Sequence, residues 1–198
     1  TPVTQALWAK VMGACPHLRD RERHPDFPII YITRDEMLEF MNRLNRLPGG
    51  GGFMLPTEAQ WEYACRAGAQ TIYCFGDDAG DGDRPGKLEQ YAWTKRNSGA
   101  SLQKVGSLAP NKFGLYDMHG LVYETMLDGR RVYTATQVVD PVGPTREGHF
   151  VARGGSWGRS PVNPRRPAEE HFRCASRQRY EQSARVSFRI AREIGGQQ

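Results

Sequence analysis

From Gly68 to the C-terminus the chain never runs far between glycine, proline, aspartate and asparagine, so no long regular element can form there. Its β-capable pieces, such as Thr71 to Phe75 and Arg131 to Val139, are short and separated by turn-forming clusters. Most of the molecule is thereby confined to short strands set in much irregular loop. Gly76 to Lys87 is the extreme case, with four aspartates and four glycines. A loop of that composition is either an exposed connector or an oxygen-ligand cation site, and the connector reading is adopted.

Before Gly68 the pattern is helical. Leu7, Trp8, Val11 and Met12 recur at helical spacing between Thr4 and Met12, and Gly13 stops the run. A second helix starts at Thr33, whose hydroxyl caps it while Glu36 reaches back from three residues later. Met37, Leu38, Met41, Leu44 and Asn45 trace one face of this helix, and Pro48 with Gly49 to Gly52 ends it. The third repeats the device with Thr57 and Gln60, points Trp61, Ala64 and Cys65 inward, and stops at Gly68.

The 198 residues, 38% of them hydrophobic, suit one globular domain over 1–198. The longest apolar stretch, Phe27 to Ile32, has six residues and includes a proline, far short of the ~20 that a spanning helix needs. Thr1 to Gln5 lacks the basic start and apolar run of a signal peptide. Of 27 basic residues only five are lysine, so arginine carries the net charge of +5. Arg153 to Arg192 holds ten arginines and three acids, yet no nucleic-acid module signature accompanies them, which argues against a nucleic-acid partner. Cys15, Cys65, Cys74 and Cys174 form no CxxC pair, which argues against structural zinc and leaves one or two disulfides open. His17, His24, His119, His149 and His171 lack any HxxxH or HExxH spacing, so each reads as structural or exposed.

Five ordered blocks carry a family resemblance: Pro2-Val3-Thr4-Gln5; Leu55-Pro56-Thr57-Glu58-Ala59-Gln60-Trp61-Glu62-Tyr63-Ala64-Cys65-Arg66-Ala67-Gly68; Pro110-Asn111-Lys112-Phe113-Gly114-Leu115-Tyr116-Asp117-Met118-His119-Gly120; Arg153-Gly154-Gly155-Ser156-Trp157; and Phe188-Arg189. The series resembles the formylglycine-generating enzyme, or sulfatase-modifying factor, family over nearly the whole chain. That resemblance implies an α+β domain with an elaborated C-type lectin fold, few strands and short helices. Family members usually carry early strands before the Pro-Val-Thr-Gln block, and the resemblance implies that these are missing here.

The oxidases of that family bind copper through two cysteines placed shortly after the Gly-Gly-Ser block, and soft thiolates suit Cu(I). Gly158 to Arg173 contains no cysteine, so the expectation is a domain without the copper-binding pair and without copper. By the same resemblance Cys174 lies beside Cys65, as a disulfide in an oxidising compartment or as two buried thiols in a reducing one. A structural calcium site is the second implied feature, with Asp117 and Glu124 as carboxylate ligands and the carbonyls of Gly120 and Val122 completing it.

Without the cysteine pair the leading expectation is a non-catalytic binding module, a pseudoenzyme, one form of which is the variable protein of a diversity-generating retroelement. Its protein or small-ligand partner would meet the Arg-rich C-terminal face at Trp157, Arg159, Asn163, Arg165, Arg166, Glu169, His171, Arg177 and Tyr180. The alternative is a divergent metal-dependent oxidase or tailoring enzyme of the same superfamily, with His171 and Glu169 as its acid and base candidates. A third reading is an accessory domain of a larger polypeptide, docking through an incomplete N-terminal edge.

Overall fold

In a computed structural model the three helices begin at the caps that the sequence provides. Residues 16–17, 79, 82–83, 133–137, 146–149, 159–161, 164–165, 168–171, 180–185 and 194–198 lie outside the description that follows. Helix α1 spans Gln5–Met12; Thr4 Oγ1 accepts from Leu7 N at 3.2 Å, and Gly13, at φ +89°, closes the last turn by donating to the Ala9 carbonyl. Helix α2 spans Arg34–Arg46 under a complete capping box, in which Thr33 N donates to Glu36 Oε2 at 2.6 Å and Glu36 N to Thr33 Oγ1 at 3.2 Å. Helix α3, Glu58–Arg66, has the same box from Thr57 and Gln60. Each reciprocal pair satisfies two backbone donors that a helix otherwise leaves without partners.

A four-stranded sheet backs these helices. Strand β1 (Phe53–Met54) lies apart from it, and two short pairs follow, β2 (Gly80–Asp81) with β3 (Arg84–Pro85) and β4 (Ala92–Trp93) with β5 (His119–Gly120); a one-turn helix α4, Leu88–Tyr91, precedes β4. The longest strand, β6, is Tyr123–Gly129, and its partner β7 is Phe150–Arg153. Beyond them come β8 (Val162–Asn163) with β9 (Arg166–Pro167), then β10 (Gln178–Arg179), β11 (Val186–Ser187) and β12 (Ala191–Arg192), the last of which pairs with β1. The main sheet runs β10-β7-β6-β11, antiparallel except for the parallel β11–β6 pair.

Strand β6 separates two cores, because successive side chains of a strand point to opposite faces. Tyr123 and Leu127 join the α1–α2 side with Val3, Trp8, Ile29, Phe40 and Phe188. There Trp8 stacks on Phe40 with centroids 5.4 Å apart, and the edge of Phe188 meets both rings; each such pair contributes about 0.5–1.5 kcal/mol beyond its area. Glu124, Met126 and Asp128 face α3 instead: Met126 packs with Trp61, Glu124 accepts from Trp61, and Asp128 Oδ1 accepts from Glu58 N at 2.7 Å. A carboxylate in the first turn of α3 is where the helix dipole favours one.

The expected strand over Thr71 to Phe75 is a turn: Tyr73 and Gly76 exchange both backbone hydrogen bonds, and the turn brings Tyr73 and Phe75 onto one side as stacked rings. Within Arg131 to Val139, residues 133–137 lie outside the described region and the flanking residues are not strand. Gly76 to Lys87, read as a connector, contains the β2–β3 pair. Among the described residues no helix is long and apolar enough to cross a membrane.

Candidate metal centre

Three buried side chains from distant parts of the chain converge beneath α3. Cys65 lies in the last turn of the helix, His119 sits on β5, and Cys174 follows Phe172 in a turn. The two sulfurs are 3.2 Å apart and Cys65 Sγ lies 3.8 Å from His119 Nε2. One ligand atom from each residue falls within 4.8 Å of the others, and all three residues are buried. A single ion with bonds of ~2.0–2.3 Å to nitrogen and sulfur spans such a set. None of the four cysteines is in a disulfide in this structure.

The surroundings hold these groups in a ligating arrangement. His119 Nδ1 lies 2.6 Å from the Phe172 carbonyl, which can only accept, so Nδ1 carries the proton and Nε2 faces the sulfurs. A ring N–H donated to a backbone carbonyl is the usual outer partner of a metal-bound histidine. Cys174 is fixed through its backbone, its N–H bonding the Ile72 carbonyl and its own carbonyl accepting from Arg153 Nη1 at 2.8 Å. The Arg153 side chain is fully buried and also pairs with Glu58 and Glu62 of α3, each at 2.9 Å. Arg177 makes a two-pronged contact with Glu58 from the other side. The helix that carries Cys65 and the turn that carries Cys174 are thus tied by one guanidinium.

Proton positions follow from burial and proximity. A hydrogen bond from Cys65 stabilises the Cys174 thiolate against the cost of burial, and with His119 and Arg66 nearby its pKa falls to about 5. Burial opposes charging His119, but its hydrogen bonds to Cys174 and Cys74 and their negative charge outweigh that cost and raise it to about 9. Burial and the neighbouring Cys174 push the Cys65 thiol up. In the metal-free chain the site therefore holds a thiolate, an imidazolium and a thiol. Two thiolates and a neutral imidazole form a soft donor set of the kind that copper and zinc take, with metal displacing the protons.

This cluster overturns the expectation that the chain lacks a cysteine pair able to take copper, and with it the readings "no copper" and "non-catalytic pseudoenzyme". Both cysteines are visible in the sequence, but neither lies in the stretch after Gly155-Ser156 where the resemblance places the copper-binding pair, and His119 has no local metal-ligand spacing. Separations of 54 and 109 residues leave no short-range motif to find.

The calcium expectation is corrected as well. Glu124 is fully buried, and both its oxygens are occupied: Arg189 Nη2 donates to Oε1 at 2.6 Å, Arg189 Nε to Oε2, and Trp61 Nε1 to Oε2 at 2.8 Å. Asp117 turns its carboxylate to the Gly106 N–H at 2.8 Å, and burial holds its pKa up. Arg189 supplies the positive charge that a calcium ion would have brought. Gly120 and Val122 are buried; an added Cβ at Gly120 would come within 2.4 Å of the Trp93 carbonyl oxygen.

Of the expected binding face, Trp157 is buried in the core beside Leu102 and Leu121, and Arg177 is engaged with Glu58. Asn163 and Arg166 belong to β8 and β9, with side chains outside the described set. Arg159, Arg165, Glu169, His171 and Tyr180 lie outside the described residues.

Comparison with known proteins agrees with this architecture. Residues 1–194 match the family model described as the sulfatase-modifying factor enzyme 1-like domain, and the chain belongs to that family. It is 30% identical over 164 residues to the formylglycine-generating enzyme of Streptomyces coelicolor, an alignment covering 78% of this chain and 49% of that protein. The chain thus spans about half the length of that relative. Among solved structures it is similar to Treponema denticola variable protein 1, at TM-score 0.75 and 26% identity, covering 96% of this chain and 81% of that one. It also superposes on PvdO from Pseudomonas aeruginosa at TM-score 0.75 and 24% identity, covering 98% and 78%, a likeness of fold. The α+β class with short helices and few strands is shared throughout.

Proposed function

We propose that this chain is a divergent metal-dependent oxidase or tailoring enzyme of the sulfatase-modifying factor superfamily, with its metal held by Cys65, His119 and Cys174. The observation that carries the reading is the convergence of three buried soft ligands within 4.8 Å. Copper bound there would supply one-electron redox chemistry toward oxygen.

The chain's own residues prepare the site for that role. Phe172 fixes the imidazole tautomer through its carbonyl, and Arg153 positions the Cys174 backbone. Burial of all three ligands excludes water, which strengthens every electrostatic interaction among them. The proposed approach to the site is past Cys74, whose backbone N–H lies 3.4 Å from His119 Nε2. Cys74 also lines a cleft of about 520 Å³ with Phe75, Tyr91, Asn111 and Lys112. A substrate entering there meets an aromatic wall and one exposed ammonium before reaching the histidine. The Arg-rich C-terminal stretch is the proposed docking face for a larger substrate.

The test is metal content by elemental analysis, with a thiol count, on protein purified without chelator. About one copper or other soft ion per chain, absent from Cys174→Ser, supports the reading. Metal-free protein in which Cys65 and Cys174 titrate as a disulfide overturns it.

A further inference from the structure

Away from Cys65, His119 and Cys174, a second cleft of about 240 Å³ carries an arrangement that the proposed chemistry does not use. It is lined by Arg19, Arg21, Glu22, Tyr31, Leu102 and Trp157. Glu22 is only 7% exposed. Its carboxylate accepts from the Tyr31 hydroxyl at 3.1 Å and from Arg19 N at 3.1 Å. A carboxylate has about four acceptor sites, and among the described residues no cation lies within ion-pair distance of this one. Burying a charge without a counter-charge is costly.

The neighbouring arginines do not fill that role. Arg23 lies 3.9 Å from Asp20, whereas the exposed Arg19 and Arg21 make no ion pair among the described residues. Both guanidiniums stand close enough to Tyr31 to act on its phenol electrostatically. The cleft therefore brings together a buried carboxylate, two exposed guanidiniums and the apolar side chains of Trp157 and Leu102. Its backbone is strained as well. Tyr31 at φ +61° and Ala100 at φ +56° both line it in the left-handed region, which bulky or β-carbon-bearing residues rarely adopt. Strain of this kind is kept where the surrounding structure has a use for the geometry.

We propose that this cleft binds a free α-amino acid as its zwitterion, with the ammonium on Glu22, the carboxylate on the Arg19–Arg21 rim and an apolar side chain against Trp157 and Leu102. Each end of such a ligand meets the opposite charge, and the ammonium supplies the donors and the charge that Glu22 lacks. A plain anion leaves Glu22 without its cation. A plain amine meets the two arginines at the rim with nothing to offset them.

Calorimetric titration of the whole chain with a matched set separates these cases. The probes are L-leucine, L-methionine, 3-methylbutylamine, which is leucine without its carboxylate, and 4-methylpentanoate, which is leucine without its ammonium. At least one amino acid is expected to bind tenfold or more tightly than either truncated probe. Glu22→Gln and Arg21→Ala are each expected to weaken it about tenfold, the scale of a lost charge-assisted hydrogen bond. Arg21 is exposed, so Arg21→Ala tests the idea even if Glu22→Gln fails to fold, and thermal melts of both variants report that directly. Binding of 4-methylpentanoate equal to that of the amino acids overturns the proposal, as does the failure of both amino acids to bind at millimolar concentration. The ligand set shares no residue with Cys65, His119 and Cys174, so neither result depends on the metal reading.

Discussion

The segment Asp117 to Glu124 presents two chemistries to the interior, and they differ in how their charge is balanced. At one point His119 faces Cys65 and Cys174, where charge balance is carried by movable protons. A few residues on, Glu124 is held by the two-pronged grip of Arg189 and by the indole of Trp61, with nothing left to exchange. Both are buried and both contain anionic groups. Only the first can admit a metal ion by giving up protons rather than by displacing a guanidinium. A carboxylate and a carbonyl in the right order therefore do not make a cation site when a guanidinium already occupies the position.

The largest effect expected from this contrast is at the closed site. Arg189→Met leaves Glu124 buried without its counter-charge and is expected to destabilise the fold by about 3–5 kcal/mol, read by urea denaturation; a loss under 1 kcal/mol would break the distinction. Next comes the open site, where Cys174→Ser is expected to weaken copper binding by more than the roughly 10–100-fold that loss of an outer partner costs. Competitive titration against a chromophoric chelator measures it, and the same substitution at Cys15, which is not in the cluster, is expected to leave the affinity unchanged.

The proton-balanced site also has a signature in pH. In the metal-free fold Cys174 stays ionised down to about pH 5, while an unfolded cysteine holds its proton to about 8.5; His119 stays protonated to about 9, against about 6.5 when unfolded. Between roughly pH 6.5 and 8.5 the pair binds the same number of protons in both states, so its contribution to stability is level. Below about 6.5 the unfolded chain binds one proton more, and stability falls toward pH 5 by about 1.4 kcal/mol per pH unit. Above the ordinary thiol range the raised Cys65 makes the unfolded chain the more deprotonated, and stability falls again. Equilibrium denaturation across this range, in parent and Cys174→Ser, checks the shape. The smallest effect belongs to Asp117→Asn, expected to cost less than about 1 kcal/mol because asparagine tolerates the left-handed φ of +59° and accepts the same Gly106 N–H. Calcium chelation is expected to leave the melting temperature of the parent unchanged.

What the sequence revealed divides along the same line between local and distant partners. Thr33 and Thr57 announced their helices because a capping box closes within four residues, and α1 showed in the helical spacing of Leu7, Trp8, Val11 and Met12. Strand β6 went unseen because it is buried on both faces while carrying Glu124, Thr125 and Asp128, so it shows no alternation of apolar and polar residues. Its acids are satisfied by Trp61, Arg189 and the first turn of α3, none of them sequence neighbours. The family resemblance placed Cys174 beside Cys65 but gave no reason to add His119, which sits on the β4–β5 pair with its ring held by the Phe172 carbonyl. The calcium pattern misleads for a related reason: Arg189 acts on Glu124 from 65 positions away.

Helix α3 has a further consequence. Thr57 and Asp128 fix its start, and Cys65 lies at its end, so the helix works as a measured spacer between a cap and a ligand. One residue inserted between them would turn the thiol about 100° around the helix axis and advance it about 1.5 Å. The composition would scarcely change, and the caps would still form. The sulfur would nevertheless point away from Cys174, so along this helix spacing is constrained more tightly than residue identity.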